Sequence, residues 1–233
     1  MLAGTLGVLE TPADEQLESY FASGGEIPAL DVEQTQTSFD DRPIQSGKVA
    51  GYVDETVQDI SVGVTADGEP VAIDVEERPE RTRTVTEWVA DVTASGIIMA
   101  ESVAGDDVAA FPFDLFWNVT GSKVTRPWID VEGLHRQWSR EDVLGDVWMV
   151  GKDPGDGAQM SYHDAADESD SPTFGLGFER PWNGTVMRGV AYESGYIAVY
   201  NTNHPSLFIR FIDEELMDHT DDGETGEQQT LSA

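Results

Sequence analysis

Hydrophobic and polar positions alternate most cleanly in two short stretches of this chain. Ile60-Ser61-Val62-Gly63-Val64 and Val71-Ala72-Ile73-Asp74-Val75 each read as strands, and Asp67-Gly68 between them is a hairpin turn signal. Strand-like patterning extends from about Ala29 to Ser102. Inside it, residues 82–93 alternate imperfectly, because Val85, Trp88, Val89 and Val92 also fit one helix face. The spacing predicts a strand before Thr86 and a short helix through Val92. Gly96-Ile97-Ile98-Met99 reads as a buried strand.

A second strand block covers residues 173–212. Phe174-Gly175-Leu176-Gly177-Phe178 alternates with glycine on one face, and Glu193-Ser194-Gly195 joins residues 186–192 to 196–200 as a hairpin. Residues 207–212 are expected to pair next. Residues 145–150 add a strand before the turn-rich Lys152-Asp153-Pro154-Gly155-Asp156-Gly157.

Helical spacing is predicted in four places. Thr11-Pro12-Ala13-Asp14 has a cap, a first-turn proline and a first-turn acid. Leu17, Tyr20 and Phe21 then share a face, and Gly24-Gly25 closes the helix. Residues 111–119 are dense in aromatics, residues 130–140 put Val131, Leu134 and Trp138 on one face, and residues 213–219 form a short helix. These elements predict an α+β fold: one domain over residues 1–219, largely antiparallel sheet with helices packed on one face. The Asp-, Glu-, Gly-, Gln- and Thr-rich residues 220–233 are expected to be a disordered acidic tail.

Composition changes the picture in one respect. The chain has 45 Asp plus Glu against 13 Lys plus Arg, a net charge of −32, and its only lysines are Lys48, Lys123 and Lys152. Such a chain repels itself, and about 1 M salt, where the Debye length is about 3 Å, screens that repulsion. The acid-rich, lysine-poor, arginine-biased balance resembles the cytosolic proteins of salt-accumulating halophiles, haloarchaea among them. Charge alone does not imply disorder here. Val, Ile, Leu and Phe number 54, about 23% of the chain and above the roughly 20% floor of folded domains. Valine (23) outnumbers leucine (12), in keeping with a sheet-rich protein.

With no cysteine, disulfides, thiolate catalysis and Cys-ligated metal centres are excluded. The first ten residues lack a signal peptide's positive and apolar regions, and no apolar run approaches the roughly 20 residues of a membrane span, so a soluble cytoplasmic protein is expected.

Candidate chemistry is sparse. There is no Gly-x-Ser-x-Gly and no Walker A loop, and Gly175-x-Gly177 lacks the third glycine of a dinucleotide fingerprint. The strongest departure from the acidic background is an island of Lys123, Arg126, Trp128, His135, Arg136, Trp138 and Arg140. Arginine beside aromatics can hold a phosphate while a base stacks, and Arg136 and Arg140 are neighbours on a helix. The same residues also fit an ordinary solvated helix with Trp138 in the core and the arginines paired to Glu132 and Glu141.

A helical Tyr162-His163-Asp164-Ala165-Ala166-Asp167-Glu168 would bring His163, Asp164 and Asp167 toward one metal ion, with His204 a further ligand; a solvated acidic turn is the alternative. Trp182, Tyr192, Tyr196, Tyr200 and Phe208 would line one sheet face for a partner, or pack against the helices. Arg-Pro occurs four times, twice as Arg-Pro-Trp (126–128 and 180–182), which fits either local extension before proline or a duplicated half-domain.

Three functions follow, in order of preference. The first is a non-enzymatic binding protein without a cofactor, acting on nucleic acid or in a protein complex, such as a mobile element would encode. The second is a metal-dependent hydrolase or nuclease. The third is a structural or virion assembly subunit using a sheet edge.

Overall fold

The structure, a computed structural model, describes residues 1–22, 26–38, 40–64, 70–101, 110–141, 148–152, 160–164 and 173–221. The strands are β1 (Leu2–Leu9), β2 (Tyr20–Ala22), β3 (Glu26–Thr37), β4 (Pro43–Val64), β5 (Pro70–Asp91), β6 (Ile97–Ala100), β7 (Val124–Thr125), β8 (Trp128–Ile129), β9 (Trp148–Lys152), β10 (Met160–Asp164), β11 (Thr173–Trp182), β12 (Thr185–Tyr192), β13 (Tyr196–Val199) and β14 (Thr220–Asp221). The helices are α1 (Ala110–Thr120), α2 (Val131–Arg140) and α3 (Pro205–Glu215), the last followed by a 3-10 turn, Met217–His219.

One antiparallel sheet dominates, in the order β10-β9-β11-β12-β13-β1-β6-β5-β4-β3-β2, with β7 also on β1. β8 and β14 form a separate pair. The α+β expectation holds, with strands in clear excess over helices.

The helices do not share one face, as the sequence suggested. All four β6 residues are buried, and the period-two pleat splits them. Ile97 and Met99 join a core with Trp138 of α2 and Phe208, Ile209, Phe211 and Ile212 of α3. Ile98 and Ala100 join a second core with Phe113, Leu115 and Phe116 of α1. The central sheet is therefore covered on both sides. α1 lies so close that a side chain at Gly7 would meet the Phe113 ring at 2.6 Å, and one at Gly51 the Phe111 ring at 2.3 Å.

Three other local expectations are corrected. Residues 11–19 are not helical. Their backbone groups are used across the fold: Ala13 N–H donates to the Val92 carbonyl, and the Gln45 side-chain amide both accepts from Leu17 N–H and donates to Leu17 C=O. Leu17 is buried, but Tyr20 and Phe21 are exposed, so the apparent helical stripe never closes. No helix follows Thr86. β5 runs on to Asp91 because β4 and β6 flank it, and Trp88, Val89 and Ala90 bury alternately on the two cores.

Residues 207–212 are helical rather than strand. Pro205 starts α3, and Phe208, Phe211, Ile212 and Leu216 have the spacing of one buried helix face. The domain also extends past residue 219, since Thr220 pairs with Ile129 and Asp221 with Trp128. The rest of the predicted tail lies outside the described residues, as do the Asp67-Gly68 turn and residues 153–157 of the predicted loop.

Candidate functional site

The predicted Arg–Trp island is built around α2. The Asp130 carboxylate caps this helix by accepting from Gly133 N–H at 2.8 Å, and Val131, Leu134 and Trp138 turn inward. Trp138 is fully buried, edge-on to Phe178 at 5.3 Å, and is not available to a base. His135 is half-buried beside the Ser139 hydroxyl, and burial pushes its imidazole below the ordinary histidine value. Lys123 faces Glu10 at 3.4 Å. Arg136 Nε donates to the Glu132 carbonyl, and its guanidinium lies 4.0 Å from Asp130.

The exposed remainder is Arg126, Trp128, Arg136 and Arg140. Arg136 and Arg140 line an open depression with Gln137, Glu141 and His219, whose Nε2 lies 2.7 Å from Gln137 Oε1. Acids crowd the other end of α2. Burial pushes the Glu193 carboxyl up, and the nearby Glu132 and Asp130 charges add to the rise. The patch is mixed in sign rather than basic.

The predicted metal site loses its premise. His163 and Asp164 lie on β10, opposite Met149 and Trp148, not on a helix. Successive strand residues alternate faces, so the i, i+4 geometry is absent. Asp167 lies outside the described residues. Among those that are described, no group of three or more His, Asp and Glu is placed to hold a metal ion. His204 is the residue before Pro205 at the start of α3. The proposed aromatic sheet face also divides: Trp182 and Phe208 are core, Tyr192 stacks on Phe174, and Tyr200 is half exposed.

The two Arg-Pro-Trp triplets have opposite fates. Trp128 is exposed on the short β8 strand, and Arg126 is exposed in the link that precedes it. Arg180 and Trp182 are buried on β11. Arg180 reaches Glu141 through Nη2 at 2.7 Å and Glu215 through Nε at 2.6 Å, with its guanidinium 4.9 Å over Trp138. The Nε contact is a close ion pair rather than an aligned hydrogen bond. This network ties β11 to the ends of α2 and α3 and holds the Glu141 carboxyl below the usual range. It is structural, and the triplets do not mark a duplicated site.

The feature that sequence reasoning missed is the length of the β4–β5 hairpin. Each strand has 22 residues, against about 5–6 in a common strand. β3 accompanies β4 only as far as the Ala29–Ala50 pair, and β6 accompanies β5 only from the Trp88–Ala100 pair. Between those limits and the tip, β4 and β5 pair only with each other among the described residues. From Tyr52 to Val64 this arm is about 40 Å long at about 3.3 Å per residue. Near its root Arg81 lies 4.5 Å and Arg83 6.0 Å from the Tyr52 ring, and Arg78 pairs with Glu80 at 3.6 Å.

The signal was present in the composition of the arm. Apart from Val57 and Pro79, residues 54–59 and 76–83 are polar at both alternating sets of positions, unlike a strand with one face in a core.

The sequence matches no family model, and no curated protein is significantly similar to it. Among the described residues, no helix is long and apolar enough to cross a membrane.

Proposed function

We propose that this chain is a non-enzymatic binding protein of the assembly kind, a subunit that engages a neighbouring subunit through the β4–β5 arm and works in a salt-rich cell interior. The observation that carries the reading is the arm itself, two strands paired with each other and, among the described residues, with no third strand on either edge. An isolated two-stranded hairpin is marginal in water, and open strand edges are where natural proteins either add a strand or block one. The acid excess supports the salt-rich setting, because close approach of two such chains needs screening.

The test removes the arm without disturbing its root. Residues 54–81 are replaced by Asn-Gly, which closes the Val53–Thr82 pair with a two-residue turn. Molar mass is measured by light scattering in about 3 M KCl, where screening is nearly complete. The full chain is expected to be a multimer and the armless chain a folded monomer with a cooperative melt. A strictly monomeric full chain, or an armless chain that keeps the same multimer, would overturn the reading.

Exposed Trp128 beside Arg126 favours a second reading, a single nucleic-acid strand laid across α2. In molar salt that binding depends on stacking more than on phosphate contacts. The Trp128→Ala variant, alone and with Arg136→Ala and Arg140→Ala, would weaken it in molar salt, and unchanged binding would dismiss it.

A further inference from the structure

We infer that the arm's partner is a second copy of this chain, and that two arms pair antiparallel through the outer edge of β4, about a two-fold axis at Gln58. The inference rests on the assembly reading above and names its partner.

The hydrogen-bond phase of the ladder decides which edge is available. Glu101 N–H donates to Glu87 C=O at 2.9 Å, so Glu87 turns its backbone groups away from β4. Pairing runs without a register shift from Lys48–Glu87 to Thr56–Pro79, and antiparallel residues alternate in phase. Pro79 therefore also faces outward, which is the position where a strand tolerates proline. It has no N–H to offer, so the outer edge of β5 is interrupted in mid-arm.

The same alternation turns the backbone N–H and C=O groups of Tyr52, Asp54, Thr56, Gln58 and Ile60 to the outer edge of β4. The β4 strand has no proline anywhere in the arm. One edge of the arm is interrupted by proline, and the other has no strand on it among the described residues.

The residues along the open edge and the limit set by β3 then decide whether a second copy fits and in which register. An edge meeting its own copy across a two-fold is self-complementary, and outward-facing groups meet outward-facing groups when Gln58 opposes Gln58. In that register Thr56 opposes Ile60, Asp54 opposes Val62, Glu55 opposes Ser61 and Asp59 opposes Val57, so no acid faces an acid. An axis at Val57 would oppose Glu55 to Asp59, and one at Asp59 would oppose that residue to itself. An axis at Thr56 would set the partner's Val62 against Ala50, where β3 already pairs, and one at Ile60 would leave fewer residues opposed. The register shift at Ser61/Val62 places the extra residue, Ile73, on β5, which leaves β4 regular along the pairing edge. Residues 54–81 carry nine acids and two arginines, so two arms approach only where salt screens them.

The natural absence of cysteine allows a clean test. A Gln58→Cys chain, oxidised in about 3 M KCl, is expected to form a disulfide-linked dimer. Opposed residues in such a pair have Cα atoms about 5.5 Å apart, within disulfide range. Glu77→Cys, on the interrupted edge opposite Gln58, is expected to remain unlinked. Thr56→Pro removes an outward N–H and no ladder bond, so it should weaken association at least tenfold while the monomer melts as before.

Failure of Gln58→Cys to link in a chain that is a multimer, or equal linking through Glu77→Cys, would overturn the inference. If the armless chain is monomeric but Thr56→Pro changes nothing, this pairing is wrong and the assembly reading survives. If the armless chain keeps its multimer, both fail.

Discussion

At its root, the β4–β5 hairpin lies between β3 and β6, with Trp88 and Ala90 against the α1 core and Ile44 and Val89 against the α3 core. Beyond Tyr52 the same two strands continue, in the same register as far as Ser61, with no flanking strand among the described residues. Backbone pairing is common to both halves. What differs is cover: residues 77–83 are exposed, whereas Trp88, Val89 and Ala90 are buried, so the halves should respond differently to the same kinds of perturbation. The root should set the stability of the fold, and the arm should set association.

The largest effect is expected at the root. Trp88 is 1% exposed and edge-on to Phe116 at 5.3 Å. Trp88→Ala should cost about 3–5 kcal/mol, which is on the order of 10 °C in melting temperature for a chain of this size. Gln45→Ala should come next. It strips the buried Leu17 N–H and C=O of their partners, and a cost of about 1–3 kcal/mol is expected for groups left unpaired. Thermal melts in about 3 M KCl, under near-complete screening, check both.

On the arm, Arg78→Ala removes only the exposed pair with Glu80 and should move the melt by no more than about 0.5 kcal/mol. A large loss there would break the comparison.

Salt should separate the halves again. As KCl falls from about 3 M to about 0.1 M, the Debye length grows from a few Å or less to about 10 Å. The multimer should dissociate first, and the fold should lose stability at lower salt. A melting temperature unchanged over that range would refute the salt-adapted reading.

The smallest effect lies outside both halves. Burial and neighbouring acids raise the Glu193 pKa in the folded chain. A raised pKa contributes stability that is fully present below the unfolded value, about 4.3 for glutamate, and is lost as pH rises through the folded value. Glu193→Gln should therefore raise the melting temperature slightly at neutral pH, have no such effect near pH 4, and leave association unchanged.

Legibility in the sequence followed the same division. Where one face meets a core, periodicity was readable: α1, α2 and the β12–β13 hairpin lie where it predicted, and β6, buried on both faces, was readable as a short apolar run. It misread residues whose fate depends on distant partners. Leu17, Tyr20 and Phe21 have helical spacing, but the Gln45 side chain holds that backbone extended. Residues 207–212 are apolar enough for a strand, and only the cover they give the sheet makes them helix.

The α2 island was found as a string of residues, but the burial of Trp138 and the acids around Asp130 depend on packing that spacing does not encode. The tip of the arm was legible as a hairpin of Ile60–Val64 with Val71–Val75, but its length was not, because the polar residues 54–59 and 76–83 carry no hydrophobic alternation. Their pairing partners are only apparent from the 22-residue ladder.

The most direct test of the account is hydrogen exchange on the peptide covering residues 51–64, measured over a dilution series in about 3 M KCl, where charge screening is held constant. The account predicts that the outward amides of Thr56, Gln58 and Ile60 are protected at high protein concentration and lose that protection on dilution, while amides of residues 86–91 at the root stay protected throughout. Arm amides that exchange at one rate at every concentration, in a chain whose root is protected, would contradict it.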